Sequence, residues 1–253
     1  MKNLNGKDER QLYGFLAWTW PIISPMEEYI KETEYFSKLI RKHSKIKTKK
    51  LLHLGCGGGH NDYTFKKNFK LTSADISEEM LKVAKELNPE VSYQYGDMRT
   101  IRIREYFDAV TILDSICYMR TIEDLQRAFN TVYYHLKPGG VFLTLAEKVA
   151  GQFKQNDSFV TTRSRGNVEI TFIENYYDPD PVDTSYEATF IYLIRINGKL
   201  ETYTDPHLCG IFKLKTWFEL LEKTGFEVIQ KDFTSVTSKG RETFPLFIGV
   251  KPI

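Results

Sequence analysis

One run of residues, HLGCGGGH from His53 to His60, limits what this chain can become more than any other part of it. Gly55, Gly57, Gly58 and Gly59 follow the apolar stretch LLHL (51–54) and precede a segment of helical character, His60 to Phe69. Glycine at a strand-to-helix turn lets backbone approach a ligand closely and adopt positive φ. A phosphate-clasping Walker loop ends in Gly-Lys-Ser/Thr, whereas Gly59-His60-Asn61 stands here, so that chemistry is excluded. A dinucleotide fingerprint GxGxxG starting at Gly55 needs glycine at position 60, where the bulk of His60 crowds the helix–strand contact. A nicotinamide-dependent oxidoreductase is thereby weakened but stays open.

Around this turn, from Lys50 to Leu145, short apolar runs alternate with amphipathic stretches, the pattern of right-handed βαβ crossovers in a mostly parallel sheet. Strands are predicted at 51–54, 70–75, 91–95, 107–113 and 140–146. Helices are predicted at 77–87, with Ser77 as N-cap, and at 122–136, closed by Lys137-Pro138-Gly139-Gly140. After Gly151 the texture becomes β-branched and aromatic in 167–177 and 184–204, the latter broken by the hairpin signal Asn197-Gly198. Helical spacing returns over 213–224, and 226–233 and 243–250 read as closing strands joined by a polar loop. The predicted fold is α/β: a Rossmann-like, seven-stranded, mostly parallel sheet with helices on both faces, plus an antiparallel β insertion. Residues 50–150 and 213–253 form its main domain, 151–212 the insertion, and 1–49 an N-terminal helical lid. The lid contains an amphipathic helix over Glu27–Leu39, and ahead of it Tyr13, Phe15, Trp18 and Trp20 crowd rings into eight positions.

Composition removes several classes of partner. With 35 Lys/Arg against 33 Asp/Glu, a net charge of +2 gives no drive toward a polyanion. The basic run Arg41 to Lys50 reads as the solvated end of a helix rather than a nucleic-acid patch. Cys56, Cys117 and Cys209 lie too far apart for a CxxC metal cluster and form no even-numbered disulfide framework. No metal is expected, and a reducing, cytoplasmic location is. No apolar run approaches the roughly 18 residues that cross a bilayer, so neither membrane nor nucleic acid is an expected partner.

The GxGxG run Gly55-Cys56-Gly57-Gly58-Gly59 resembles the loop of class I S-adenosylmethionine-dependent methyltransferases, a likeness covering roughly residues 50–150 and 213–250. It implies that Gly55, Cys56, Gly57 and Gly59 wrap the methionine part of S-adenosyl-L-methionine, whose carboxylate and ammonium require no phosphate cradle. Asp75 ends the second strand twenty residues after Gly55, where an acidic side chain accepts two hydrogen bonds from ribose hydroxyls. The family likeness adds Ile76 as an apolar face for adenine, Asp97 as acceptor for its amino group, and the backbone at Met98 for a ring nitrogen. Asp114 and the run Ser115-Ile116-Cys117-Tyr118 resemble the small-molecule branch, in particular deoxysugar amine N-methyltransferases. The Asn/Asp-Pro-Pro-aromatic motif of base-amino methyltransferases is missing. Tyr13 and Ala17 match the spacing of that branch's tyrosine-bearing lid, from which Gly14 and Trp20 depart.

The implied activity is methyl transfer to an N or O atom of a small-molecule acceptor by in-line displacement. Alignment alone supplies on the order of 7–11 kcal/mol in such reactions. An amine acceptor needs only to arrive neutral. A hydroxyl acceptor calls for a general base, for which His207 is the first choice, with Tyr118 and Asp114 behind it. Tyr176, Tyr177, Tyr186 and Tyr192 either wall the acceptor pocket or cover a sheet face, and the insertion serves a pocket or a homodimer contact. A cofactor-binding scaffold without catalysis is the remaining alternative.

Overall fold

Residues 10–237 and 240–253 are described by a computed structural model; residues 1–9 of the expected lid and 238–239 of the expected polar loop lie outside the described residues. The chain begins with two 3-10 turns, Gln11–Tyr13 and Ala17–Thr19, followed by α1 (Trp20–Ile23), a third turn at Met26–Tyr29, and α2 (Ile30–His43). The alternating region follows as β1 (Lys50–Leu54), α3 (Asp62–Phe65), β2 (Lys70–Asp75), α4 (Glu78–Leu87), β3 (Ser92–Tyr95) and β4 (Phe107–Ile112). A 3-10 turn at Asp114–Tyr118 leads to α5 (Ile122–His135) and β5 (Leu136–Leu145). Then come β6 (Asp157–Arg165), β7 (Val168–Tyr177), β8 (Ser185–Ile196), β9 (Lys199–Gly210), α6 (Leu214–Thr224), β10 (Glu227–Thr237) and β11 (Gly240–Val250).

The main sheet has seven strands in the order β10-β11-β5-β4-β1-β2-β3. Strands β1 to β5 are parallel, and β11 runs antiparallel to both β5 and β10. Because β1 pairs with β2 on one side and β4 on the other, the strand order reverses there. The crevice outside the carboxyl ends of β1 and β4 is the switch point at which such sheets bind ligands. Both faces are covered. Leu52 and Leu54 point toward Phe129, Phe142 and Trp217, while Leu51 points toward Phe36, Phe65 and Leu143. Strand alternation thus divides one short run between two cores.

A second sheet, β6-β7-β8-β9, is an antiparallel meander. Its β8–β9 turn is Asn197-Gly198, with φ of 51° and 80°, the positive pair that two-residue hairpins demand. Leu12, Leu16, Ile22 and Ile23 of the N-terminal arm pack with Ile170, Phe172, Phe190 and Tyr192 of this sheet. Tyr13 and Trp20 turn inward against this cluster, whereas Phe15 and Trp18 stay exposed. No helix among the described residues is long and apolar enough to cross a membrane.

The elements differ from the predicted ones where neighbours override local signals. The helix after the glycine turn covers only Asp62–Phe65, and α2 starts at Ile30 and ends at His43, three to four residues later at each end than predicted. Lys137-Pro138-Gly139-Gly140 belongs to β5 and does not close α5. Gly139 there exchanges backbone hydrogen bonds with Lys251 and Lys45. The polar loop between the closing strands is paired instead, Thr234 facing Thr243 and Ser235 facing Glu242. β6 went unread because DSFVTTRSR is polar, yet it pairs along its length with β7. An edge strand can carry polar side chains on its open face, so polarity does not separate it from a loop.

Candidate active site

A cavity of about 580 Å³ opens at the carboxyl edge of β1, β2, β3 and β4, walled by the N-terminal arm and the second sheet. Its floor is the glycine turn. Gly55 donates its N–H to Ala74 O at 2.7 Å and takes φ of 70°; a Cβ there would lie 2.0 Å from Ser115 Oγ. Gly57, at φ 52°, lines the cavity with no protein atom within 4 Å of where its Cβ would be. Its N–H donates to Asp75 Oδ2 at 2.8 Å, and Ser77 N–H donates to Asp75 Oδ1 at 2.9 Å. Burial pushes the Asp75 carboxyl up from its ordinary pKa, against those two hydrogen bonds. A carboxylate has about four lone-pair sites, so two remain for a ligand. Gly59, by contrast, does not border the cavity: its Cβ would strike Ala84 and Asn88 of the α4 region, so it serves packing of the turn.

This loop yields a first expected result. Gly57→Ala meets no protein atom, so the cost to folding is limited to the left-handed backbone, about 1–2 kcal/mol. The added methyl occupies the cavity floor, so affinity for S-adenosylhomocysteine should fall by more than that backbone strain accounts for. Paired thermal melts and calorimetric titration read the two effects separately; affinity that stays at the wild-type level would show that no ligand uses this floor.

Ile76, Asp97 and Met98 also line the cavity. The Asp97 carboxylate is gripped by Arg99, whose Nη2 donates to Oδ2 at 2.6 Å and whose own N–H donates to Oδ1 at 2.8 Å. Arg99 reaches Asp124 as well, at 3.0 Å. Sequence reading missed Arg99, although its position two residues after Asp97 is the signature of an Asx turn. His60 is buried, stacked on Trp20 with 5.8 Å between ring centroids, and burial lowers its pKa to about 4, which keeps it neutral. His53 is a further missed lining residue. Its Nδ1 lies 2.7 Å from Asp62 Oδ1, while its Nε2, like Ser115 Oγ, is buried without a hydrogen-bond partner in the protein.

On the acceptor side the sequence ranks His207 first as general base, with Tyr118 and Asp114 next. Of these, Tyr118 and Asp114 border the cavity and His207 does not. Tyr118 and Tyr13 line the cavity with their hydroxyls 3.0 Å apart, and His207 Nδ1 lies 2.8 Å behind the Tyr118 hydroxyl, outside the lining. Behind His207, Nε2 stands 2.9 Å from Asp205 Oδ2. The Arg10 guanidinium sits 4.4 Å over the Tyr13 ring and 3.9 Å over the Tyr118 ring. Burial drives both phenols well above their ordinary range, so both stay protonated. Cys56 lines the floor, and burial pushes its thiol well up, which leaves it unreactive. Of the four insertion tyrosines, Tyr176 and Tyr186 wall the cavity, Tyr192 is enclosed in the packing between arm and sheet, and Tyr177 is exposed. Glu147, Glu174 and Glu242 join them, and carboxylates outnumber cationic side chains along the lining.

Asp114 borders the cavity near α2, and its charge acts on Glu32 there. Burial first, then Asp114, raises Glu32 from 4.5 to about 8. An acid whose folded pKa is raised contributes stability below its unfolded pKa that is lost as pH rises through the folded one. Stability should therefore decline between about pH 4.5 and pH 8. Glu32→Gln should flatten that decline in thermal melts recorded across the window; an unchanged slope would place the proton elsewhere.

Comparison with known proteins supplies the last observation. A family model described as a methyltransferase domain matches residues 52–144. The dTDP-4-amino-2,3,4,6-tetradeoxy-D-glucose N,N-dimethyltransferase of Saccharopolyspora spinosa is 35% identical over 203 residues, covering 79% of this chain and 78% of that protein. Among solved structures, Streptomyces venezuelae DesVI superposes with a TM-score of 0.79 at 22% identity, over 98% of this chain and 99% of that one. CalS10, an amino pentose methyltransferase from Micromonospora echinaspora with S-adenosylmethionine bound, gives 0.75 at 21% identity, over 88% and 91%. At such identities the structural likeness is one of fold.

Proposed function

The chain belongs to the class I S-adenosylmethionine-dependent methyltransferases, and on that premise we propose that it methylates the amino nitrogen of a small polar acceptor, sugar-like in size. One observation carries the reading: a single cavity joins the glycine turn and Asp75 to Tyr118 and a wall of carboxylates and rings from the second sheet. The residues present fit the cofactor. The floor at Gly57 is open, two buried polar atoms of His53 and Ser115 await partners, and Asp75 has acceptor capacity to spare. A cavity in which carboxylates predominate suits a ligand bearing a sulfonium and an ammonium and repels a diphosphate, which tells against a dinucleotide and against nucleic acid as acceptor. The nicotinamide reading is not favoured by the comparisons either.

When bound, S-adenosyl-L-methionine supplies an electrophilic methyl group whose leaving group is already good. The chain's own residues do the rest. Gly55, Cys56 and Gly57 bring backbone to the amino-acid end, Asp75 holds the sugar diol, and Ile76, Asp97 and Met98 frame the base. Glu147, Glu174 and the rings of Tyr176 and Phe190 favour a cationic amine over a neutral alcohol, through charge and through the ring faces. The acceptor must shed its proton before its lone pair is exposed, and Tyr118, backed by His207, is placed to take it. Residues 1–49 act as the lid and 151–212 as the acceptor wall over a core of 50–150 and 213–253. A cytoplasmic setting is supported by three unpaired thiols.

The test is titration with S-adenosylmethionine, followed by a search among aminosugars, other amines and alcohols for acceptor-dependent release of S-adenosylhomocysteine. Turnover with amines alone is the expected result; turnover with alcohols alone would move the assignment to oxygen. Tyr118→Phe should lower kcat by about 10²–10⁴-fold with affinity for S-adenosylhomocysteine unchanged. An unaltered kcat would assign the rate to alignment alone.

A further inference from the structure

Asp205 gathers three hydrogen bonds on one carboxylate that is 1% exposed. Its Oδ1 accepts from Gln11 N–H at 2.8 Å, its Oδ2 accepts from Leu12 N–H at 2.7 Å, and His207 Nε2 lies 2.9 Å from Oδ2. The two backbone donors open the first turn of the N-terminal arm, where a helical start leaves N–H groups unsatisfied. Arg10, at the N-cap position, offers no side-chain cap. A strand residue nearly two hundred positions away therefore caps that turn. The same turn ends at Tyr13, whose carbonyl accepts from Ser77 Oγ at 2.7 Å and whose hydroxyl meets Tyr118. Ser77 in turn caps α4 and donates its N–H to Asp75. One short turn is thus pinned on one side to the proposed base and on the other to the ribose carboxylate.

We propose that Asp205 is a positioning residue that couples closure of the arm over the cofactor to the proton-accepting state of His207, an inference that rests on the methyl-transfer reading. An ionised carboxylate only accepts hydrogen bonds. It therefore fixes the proton of neutral His207 on Nε2 and leaves a lone pair on Nδ1 facing the Tyr118 hydroxyl. As the acceptor ammonium gives its proton to the Tyr118 oxygen, the phenol's own proton passes to Nδ1, and an imidazolium forms beside the Asp205 carboxylate. With the arm closed, three donors hold that buried charge. With the arm away, Asp205 keeps only His207, and the carboxylate that sets the tautomer loses the groups that fix its orientation.

Asp205→Asn tests this, because an amide keeps one acceptor oxygen and turns an NH₂ toward groups that need an acceptor. In the wild type with S-adenosylhomocysteine, imidazole ¹⁵N shifts should report His207 with its proton on Nε2, and in the variant on Nδ1. Trypsin should cut the Arg10–Gln11 bond about tenfold faster in the variant, the equivalent of one lost hydrogen bond of roughly 1.4 kcal/mol, because the NH₂ that faces His207 Nε2 replaces Oδ2 and leaves Leu12 N–H, the second donor of that turn, without its acceptor. Sites C-terminal to Gln11 should stay resistant, which general unfolding would not allow. kcat should fall about 10²-fold. An unchanged tautomer or unchanged cleavage at Arg10 overturns the proposal, as does a wild-type His207 protonated on Nδ1, a measurement that stands even if the variant fails to fold. Failure of the wild type to bind S-adenosylhomocysteine would instead overturn the methyl-transfer reading, with cleavage and tautomer still measurable on the free protein.

Discussion

Replacing Asp75 by alanine is expected to raise the dissociation constant for S-adenosylhomocysteine by about 10²-fold, roughly 3 kcal/mol. Two hydrogen bonds from a sugar diol to a carboxylate are each worth about 1.5–3 kcal/mol, and part is recovered by water entering the space. The alanine variant also leaves the Gly57 and Ser77 N–H groups without their acceptor, which loosens the floor under the amino-acid end. Asp75→Asn keeps one acceptor oxygen and should fall between the two, near tenfold. The ribose assignment makes a sharper demand as well. 5′-Methylthioadenosine, which has the sugar but lacks the amino-acid end, should lose affinity by a similar factor. Calorimetric titration of both ligands decides the matter: a loss confined to S-adenosylhomocysteine would move Asp75 from the sugar to the amino-acid subsite.

The second large effect is expected at Gly55. An alanine there places Cβ 2.0 Å from Ser115 Oγ and 2.8 Å from Met98 Cε, at a φ of 70°. Left-handed backbone costs about 1–2 kcal/mol and overpacking a further 1–3 kcal/mol, so the melting temperature should drop by several degrees. Cofactor affinity should collapse with it, because the turn and the Asp114–Tyr118 segment are pushed apart at the floor of the cavity. Adding Ser115→Gly to the same chain removes the collision with Ser115 and leaves the backbone strain and the contact with the flexible end of Met98. The double variant should therefore recover the collision share of the lost stability. If its melting temperature equals the sum of the two single effects, the contact between Gly55 and Ser115 is not what the glycine is for.

The parts of the fold that were legible in the sequence are those whose cause is local. β1 and β4 are apolar enough to be buried on both faces, and that alone marks parallel strands. Ser77 accepts from Met80 N–H as an N-cap should. The positive φ at Gly55, Gly57 and Gly59 follows from a turn only glycine enters freely. The unread parts have partners far away. β6 and the outer halves of β10 and β11 are polar and become strands through pairing. Lys137 to Gly140 carries every mark of a helix stop, yet backbone hydrogen bonds with Lys251 and Lys45 hold it extended at the register shift between β4 and β5.

The site divides in the same way. Gly55, Cys56, Gly57, Asp75, Ile76, Asp97 and Met98 all border the cavity, because in a βαβ unit the residues that close each strand are delivered to one edge whatever the rest of the chain does. For these seven residues of the cavity, then, the sequence by itself determined where they meet, whereas Gly59 of the same run is turned into packing against Ala84 and Asn88. For the acceptor half it did not. Tyr13, Tyr118, His207 and Asp205 come from the arm, a 3-10 turn and one strand of the second sheet, and their order as a hydrogen-bonded file depends on how that sheet packs on the arm. That packing buries apolar surface contributed by segments up to two hundred residues apart, and burial has no direction. Only the three-dimensional arrangement decided that Tyr118 faces the cavity, that His207 stands behind it, and that Asp205 ties both to the arm.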